Sequence, residues 1–514
     1  MFRAVAGFEL ARQVRGHVFW VVTLISLGMV TGSVGVDRLR VGVDAGGWRN
    51  GAEAIVLTHG VWSLFFMFTT AAFVADAVLR DELAGFGPVF VSAPVRRFEY
   101  LGGRFAGAFG AVLLCFASVP LGIFAGAAMP GVAPASVGPP AFAALAWAYF
   151  VIATPDLLLS AALGFALATW GRSLNLALVG AVALLTLYGL GARTGAALPP
   201  VLEPFGFAAY QHAIAGWPQG WRDRFVPTST GELLANRFLV LALSAALLMV
   251  SALRAPAVGR ARKRVGPDPP PPTTPLAPPT FDRWTGLRQF VARTRLEVGQ
   301  TIWTPVFAAL LLLGVANTLA TLWPMRQPGA AQVAAALADA FRLTPIVIAL
   351  FFAGELRWAE AERGVGKLLA ATPLSPAAFL PPKFLALAIV LVGALATAAG
   401  AATLLLLARG HPDAAAALPG WLAGAGYDAL VLAALAIFLQ AAAPNKLAGW
   451  GFLVLYLIAS LALNRLGLTD PVWRYGRYPE AEGVGGSYHL YWGLVAAGLL
   501  AVATPLAARR GLFA

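Results

Sequence analysis

Charged residues are scarce in this sequence. Only 12% of its 514 residues are charged and 59% are hydrophobic, whereas roughly 25% of the residues in a soluble domain are charged. Apolar stretches of roughly 20 residues recur along the chain, each long enough to cross about 30 Å of hydrocarbon as a helix. Because a backbone inside lipid must satisfy its own hydrogen bonds, these stretches predict helices. We therefore expect an all-α polytopic membrane protein.

Cysteine and histidine are equally rare. The single cysteine, Cys115, has no second cysteine with which to form an intrachain disulfide, and the five histidines are scattered. The H-E-x-x-H pattern of zinc peptidases is absent. An ATP-binding phosphate loop is missing as well, because ERGVGKLLA has Ala361 and Leu368 where G-x-x-x-x-G-K-[ST] requires Gly and Ser or Thr. The sequence predicts neither catalysis nor a directly bound cofactor or metal.

Acidic residues are outnumbered by basic ones, 24 to 37, which gives a net charge of +13. The arginines stand between apolar spans, where the positive-inside rule and anionic lipid headgroups account for them without nucleic acid. A basic run from Arg254 to Arg264 precedes GPDPPPPTTPLAPPT, a Pro-rich, extended spacer. A basic run beside a membrane helix indicates the cytoplasm. We expect a bacterial plasma (inner) membrane protein with both termini cytoplasmic.

The spacer separates two similar halves, residues 1–254 and 284–514, with a linker at 255–283. Glu9 and Glu297 lie at corresponding positions, at an offset of 288. Further pairs recur at an offset of 279: Asp76 with Glu355, Asp81 with Glu360, Gly85 with Gly364, Pro94 with Pro373, and Arg104 with Lys383. Self-similarity in a fixed order indicates one unit used twice. We expect about twelve transmembrane helices as two parallel six-helix repeats.

An amphipathic stretch precedes the first span of each half. In the first half the apolar face comprises Leu10, Val14 and Val18, and the residues that point away from it are Glu9, Arg12, Gln13 and Arg15. In the second half the face comprises Leu287, Phe290, Val291, Thr294 and Val298, with Arg288, Gln289 and Arg295 away from it. Such helices lie in the membrane interface. The alternative is a cytosolic extension of the first span.

Two acids fall inside predicted spans, Asp156 and Asp428, each in the fourth span of its half. Charges inside a membrane are costly and therefore mark candidate sites. Hydrogen bonding between helices is one interpretation of these two residues, and a substrate or proton site is the other. Asp76 and Glu355 lie just before a polar loop and are assigned to it.

A polar loop follows the second span of each half. In the first half it reads RDELAGFGPVFVSAPVRRFEYLGGRF. Its acidic–Gly–Pro–basic order, together with the preceding amphipathic helix, resembles the ABC-2 type transporter permeases, the membrane subunits of ABC exporters. The portion from R-D-E to F-G-P is most similar to a subgroup whose permease is fused to a zinc aminopeptidase. The aminopeptidase part has no counterpart here, so proteolysis is not carried over, although a separate peptidase would be compatible as a partner.

The resemblance implies that an ATPase subunit, in two copies that bind ATP and Mg²⁺, docks on these loops. It also implies that the segments after the fifth helix of each half dip back toward the membrane. The implied coupling residues are Asp81, Glu82, Gly85, Phe86, Pro94, Arg96, Arg97 and Arg104 in the first half, and Glu360, Arg363, Gly364, Pro373 and Lys383 in the second. The second loop has Ser375–Pro376 in place of Arg96–Arg97. The two docking surfaces are therefore expected to be unequal.

Two other classes remain as alternatives. An integral membrane enzyme, such as a lipid-modifying transferase, would need acids, His or Arg converging at one membrane face. A secondary transporter usually has inverted repeats with broken helices and midplane charges, whereas these repeats read as parallel. Co-purification with an ATPase subunit would distinguish all three classes.

Overall fold

A computed structural model of the chain describes residues 1–36, 39, 47–83, 96–193, 199–254, 282, 284–341, 343–364, 379–468, 475 and 485–509. The chain forms two compact units, Met1–Pro272 and Thr273–Ala514, and their division falls inside the predicted linker. Every regular element in the described residues is a helix. The prediction of an all-α protein is thereby confirmed.

The first unit contains eleven α-helices in the ranges described, and a π-helical stretch, Ala148–Ala153, joins α6 to α7. These helices are α1 (Phe2–Arg15), α2 (His17–Gly35), α3 (Ala52–Leu83), α4 (Arg97–Phe116), α5 (Ser118–Ala127), α6 (Phe142–Trp147), α7 (Thr154–Gly171), α8 (Leu174–Arg193), α9 (Phe207–Ile214), α10 (Gln219–Arg222) and α11 (Gly231–Arg254). Helix α1 packs along α4, α2 along α5, and both α3 and α11 along α7. Phe116 lies in the core, where its ring contacts Phe66 and Tyr149 at centroid distances of 5.0 and 5.6 Å.

The second unit contains nine α-helices in its described part. They are α12 (Thr285–Ile302), α13 (Pro305–Leu322), α14 (Ala330–Ala340), α15 (Leu343–Glu362), α16 (Leu380–Ala408), α17 (Pro412–Ala415), α18 (Leu418–Ala442), α19 (Lys446–Arg465) and α20 (Gly485–Arg509). Helix α12 packs along α16, and α18 packs against α15, α16 and α20. Small residues such as Ala394, Ala398 and Ala402 on the buried face of α16 allow this close packing.

Ten helices in the described residues are long and apolar enough to cross a membrane, five in each unit. They are His17–Gly35, Ala52–Asp81, Phe98–Ala127, Phe142–Gly171, Gly231–Arg254, Pro305–Leu322, Ala330–Glu362, Leu380–Ala408, Pro412–Ala442 and Tyr488–Ala507. Each unit also has one shorter apolar helix, Leu174–Thr186 or Ala448–Ser460. The chain is thus a multi-pass membrane protein by its helices, although the ten long helices are fewer than the predicted twelve.

The amphipathic helices differ from the prediction in which residues they bury. Helix α1 ends at Arg15, because Gly16 is extended, so Val18 belongs to α2 and does not continue the predicted face. Leu10 and Val14 do pack on the core. However, the buried residue of α1 is Glu9, which the sequence had placed away from that face.

The second amphipathic helix shows the same difference. In α12 the buried residues are Glu297, Thr301 and Thr294, of which only Thr294 belongs to the predicted face. Leu287 and Val291 of that face are exposed within the unit. In both helices the physical reason is an ionic partner. A buried glutamate finds cations on neighbouring helices, and the pattern of apolar residues cannot show this.

Candidate functional site

Helix α1 approaches the start of α4 closely because glycines face it. A Cβ atom on Gly107 would lie 2.5 Å from the carbonyl oxygen of Ala6, and one on Gly103 would lie 2.8 Å from Cβ of Val5. Real Cβ contacts are longer, so any side chain here would push α1 away. The motif GGRFAG therefore brings Glu9 of α1 beside Arg104 of α4.

Glu9 is fully buried, and its carboxylate collects several donors. Arg104 donates to one of its oxygens, Arg80 Nη1 donates from 3.1 Å, and Gln13 Nε2 donates from 3.1 Å. The other Nη atom of Arg104 donates to Asp81, which also accepts a hydrogen bond from the Tyr100 hydroxyl. One guanidinium group therefore joins α1, the end of α3 and the start of α4.

A more exposed ion pair lies beside these buried groups. Arg12 Nη2 lies 2.9 Å from Asp76 Oδ2, and the two side chains are 41% and 44% exposed. Arg80 pairs with Asp76 as well as with Glu9. We call the whole group the first ionic cluster, which has three basic and three acidic members: Arg12, Arg80, Arg104, Glu9, Asp76 and Asp81.

The second unit has a similar group, which we call the second ionic cluster: Arg293, Glu297, Glu360 and Lys383. Lys383 Nζ at the start of α16 lies 2.6 Å from Glu360 Oε2 near the end of α15. The same nitrogen lies 3.6 Å from Glu297 Oε1 on α12. Arg293 contacts Glu297 at 2.9 Å and also pairs with Glu360. This cluster also joins an amphipathic helix to the two helices that flank a polar loop.

The three positions matched by sequence offset occupy the same places in the two clusters. Each cluster has a glutamate on the amphipathic helix, an acid near the end of the helix before the loop, and a cation at the start of the helix after it. The clusters differ in their cations, and only the first includes a pair such as Arg12–Asp76. The first uses the guanidinium fork of Arg104, whereas the second uses the ammonium of Lys383. A further arginine comes from α3 in the first unit, Arg80, and from α12 in the second, Arg293.

The other predicted loop residues are described only in part. Arg96 is exposed just before α4. Arg363 is exposed at the end of α15 and donates to Gln300 Oε1 at 3.1 Å. Gly364 follows it with a φ of +69°, the left-handed conformation that commonly ends a helix. Outside the described residues lie Gly85, Phe86, Pro94, Pro373 and the side chains of Glu82 and Arg97.

The two intramembrane acids have different surroundings. Asp156 is fully buried in α7, where it accepts hydrogen bonds from Arg237 Nη1 at 2.8 Å and Ser63 Oγ at 2.9 Å. Arg237 also reaches the carbonyl oxygen of Ile152, in the π-helical stretch, at 3.5 Å. This arrangement ties α3, α7 and α11 together. Asp428, by contrast, is exposed on the surface of α18 within its unit.

Arg237 was missed at the sequence level. It stands in the apolar run of α11, and a charge inside a span is itself a signal of a partner. Its neighbour Asn236 was missed too. Nδ2 of Asn236 donates to the carbonyl oxygens of Pro200, Val201 and Glu203 at 3.0, 3.0 and 2.6 Å.

The segment between α8 and α11 is fastened by these contacts. The Glu203 carboxylate accepts from the backbone N–H groups of Phe205 and Ala208 at 3.0 and 3.2 Å, just before and within α9. Burial raises the pKa of Glu203 above its usual value, and the hydrogen bonds to backbone N–H groups act in the opposite direction. Helices α9 and α10 in this segment are short, with eight and four residues.

No protein-family model matches the chain, and no curated protein matches its sequence. Within the described residues, no three His, Cys, Asp or Glu side chains are arranged to hold a metal ion. The two ionic clusters and the membrane architecture around them are therefore the features that indicate a function.

Proposed function

We propose that this chain is the transmembrane subunit of an ABC transporter of the ABC-2 type, which forms the translocation path and couples to separate ATPase subunits. The observation that supports this function best is the ionic cluster at the root of each polar loop. In each unit the cluster binds the amphipathic helix to both helices that flank the loop. A partner that pushes on the loop would then move three helices together.

The physical requirement for such coupling is a rigid loop root. Asp81 and Arg104 are 23 residues apart in sequence, yet they form an ion pair across the two ends of the loop. In the second unit Glu360 and Lys383 do the same, also 23 residues apart. Charge-assisted hydrogen bonds are strong and directional, particularly away from bulk water. The carboxylate of Asp81 is used inside the chain, so we assign it to holding the loop rather than to contacting a partner.

The remaining parts of the proposal follow from this function. Each unit supplies six transmembrane helices, which are its five long helices and its shorter apolar helix, and the two units are parallel repeats that together form one path. The loops, the linker and both termini lie in the cytoplasm. Two ATPase subunits bind ATP and Mg²⁺ and close on the loops, and the difference in loop contacts between their open and closed states drives export.

Co-purification with charge-reversed variants tests this proposal. The tagged full chain, expressed with the ATPases of its host and extracted in mild detergent, is expected to retain an ATPase at about two copies per chain. Reversing the exposed arginines at the loop roots, Arg96→Glu and Arg363→Glu, should lower the amount retained. Arg326→Glu is the matched control, because Arg326 is also exposed but follows the far end of α13, away from the loop root.

The outcome separates the classes of function. Retention of no ATPase by the unaltered chain would contradict the proposal, and so would equal retention by all three variants.

The topology has its own test, in which a cysteine at Thr274 should resist a membrane-impermeant thiol reagent in intact cells. Rapid labelling there would place the linker outside.

A secondary transporter is the second candidate, and the buried Asp156–Arg237 pair favours it. Ionisable pairs inside membrane spans commonly mark ion or substrate pathways. Transport that persists without any ATPase and is abolished by Asp156→Asn would support this candidate over the first.

A further inference from the structure

Arg357 is a buried cation that has no counter-charge among the described residues. It lies in the last two turns of α15 and is only 5% exposed. Its Nε is enclosed and has no hydrogen-bond partner. None of its nitrogens forms a hydrogen bond or ion pair with a described residue. Unlike Nε, its two Nη atoms are not fully enclosed. Because a guanidinium group stays charged in a protein, burial without an anion is strongly unfavourable.

The surrounding side chains hold this guanidinium in a defined position. Its Cζ lies 4.8 Å from the centroid of the Trp358 ring. Trp358 is fixed in turn, because its Nε1 donates to Gln440 Oε1 at 2.9 Å. A guanidinium held over an aromatic ring keeps N–H groups at its edge free for an oxyanion. A second buried donor that lacks a partner in the described part of the chain, Trp450 Nε1, lies against Gly354, one turn before Arg357 on α15.

The nearby acids are already engaged. Glu297 and Glu360 are bound by Arg293 and Lys383 in the second ionic cluster. Glu355 and Glu362 on the same helix are bound by Lys446 at 2.6 and 3.1 Å. The loop sequence that follows α15, residues 365–378, contains no Asp or Glu. It therefore cannot supply a carboxylate to Arg357.

The fold does not require an arginine at this position. In the first unit the residue at the offset of 279 is Val78, which packs in an apolar cluster. The second unit thus has a buried charge where the first has a methyl-bearing side chain. Arg357 also lies at the loop end of its span, the end where phospholipid headgroups meet a membrane helix. Basic pockets between helices at this depth bind phosphate headgroups.

We propose that Arg357 and the adjoining Trp358 form an anion site that binds a phosphate group through the edge of the guanidinium, from either a lipid headgroup or free phosphate. Arginine matches phosphate oxygens with two parallel hydrogen bonds, which an ammonium group cannot reproduce. This inference does not depend on the transport function proposed above.

Native mass spectrometry of the full chain in mild detergent tests the site. Phosphatidylglycerol is titrated into the unaltered protein and into Arg357→Met, Arg357→Lys and Arg326→Met, in the presence or absence of inorganic phosphate. We expect one tight phosphatidylglycerol site that is roughly 10- to 100-fold weaker in Arg357→Met, since charged hydrogen bonds are lost. Arg357→Lys should bind with intermediate affinity, and Arg326→Met, which removes an exposed arginine from the same unit, should bind normally.

Competition identifies the source of the phosphate. Displacement of the lipid by millimolar inorganic phosphate assigns the site to free phosphate, and failure to displace it assigns the site to a headgroup. Thermal unfolding gives an independent readout, because lipid should raise the Tm of the unaltered chain but not that of Arg357→Met. The proposal is overturned if the unaltered chain binds neither ligand, or if Arg357→Met binds as tightly as the unaltered chain.

Discussion

Replacing Arg104 with methionine tests whether the first ionic cluster holds α1 in place. The change keeps an unbranched apolar stem but leaves Glu9 and Asp81 without the guanidinium that joins them. Losing one partner of a buried ion pair costs about 3–5 kcal/mol. Glu9 keeps Arg80 at 3.1 Å and Asp81 keeps Tyr100, so we expect the lower end of this range. About 3 kcal/mol corresponds to roughly a hundredfold change in the unfolding equilibrium.

Arg12→Met is the matched control for this variant. It removes the same charge from the same cluster, but the pair of Arg12 with Asp76 is 41% and 44% exposed. Exposed pairs contribute about 0–1 kcal/mol, so the control should lose far less stability. Reversible unfolding in mixed micelles with SDS, followed by tryptophan fluorescence, measures both losses. Tryptic cleavage after Arg15, at the end of α1, should accelerate only in Arg104→Met.

A double variant separates the ionic contribution from general disruption. Glu9→Gln combined with Arg104→Met replaces a buried carboxylate that has lost one of its two arginine partners with a neutral amide, so it should recover about 1 kcal/mol relative to Arg104→Met alone. Equal losses in Arg104→Met and Arg12→Met would refute the reasoning, because they would mean that burial of the cluster adds nothing. Failure of the double variant to recover would indicate that packing, and not charge, holds α1.

Three further predictions use the same assays. Lys383→Met should cost about 2 kcal/mol, less than Arg104→Met, because Arg293 still reaches both glutamates of the second ionic cluster. Gly107→Ala should make α1 more susceptible to trypsin, because a Cβ on Gly107 would lie 2.5 Å from a backbone oxygen. Gly110→Ala should not, because a Cβ there would meet only a leucine methyl at 3.6 Å. Burial raises the pKa of Glu203, so the contribution of this residue to stability is largest below the usual carboxyl pKa range and falls as the pH rises through the raised pKa. Glu203→Gln should therefore flatten that part of the curve of stability against pH. An unchanged curve would exclude Glu203 as the source of the pH dependence.

The helical membrane architecture could be predicted from apolar runs alone, because hydrocarbon imposes a length and a secondary structure that the sequence records directly. Some cluster members could be predicted, but only as matched positions, and Arg80 and Arg293 were not predicted at all. The offsets paired Asp81 with Glu360 and Arg104 with Lys383, but hydropathy assigned Glu9 to the polar face. Side-chain hydropathy is counted one residue at a time, whereas the burial of Glu9 depends on cations from α3 and α4.

Arg237 and Arg357 show a second limit of the sequence. A charge within an apolar run is visible, but its partner comes from another helix and has no fixed spacing. Arg237 meets Asp156, which lies 81 residues away. Arg357 stands near the end of its span, where the positive-inside rule already accounts for an arginine. Arg357 is distinguished from a surface residue by its burial without a counter-charge in the ranges that the structure describes.

The two loop roots should respond unequally to the same force, because their cations differ in geometry. The fork of Arg104 donates to acids on two different helices, so it fixes both a distance and an orientation between α1 and the end of α3. The ammonium of Lys383 is a point charge that lies 2.6 Å from one acid and 3.6 Å from the other, so it constrains the distance to Glu360 more than any angle. Apolar contacts would constrain still less, since they are non-directional and allow helices to slide. Lys383 therefore restricts rotation of the second root less than Arg104 restricts rotation of the first, although Arg293 adds a second link there through Glu297 and Glu360. The loop attached to the second root also lacks the Arg96–Arg97 pair. Both differences point the same way, toward a first unit that transmits movement of its loop more directly than the second.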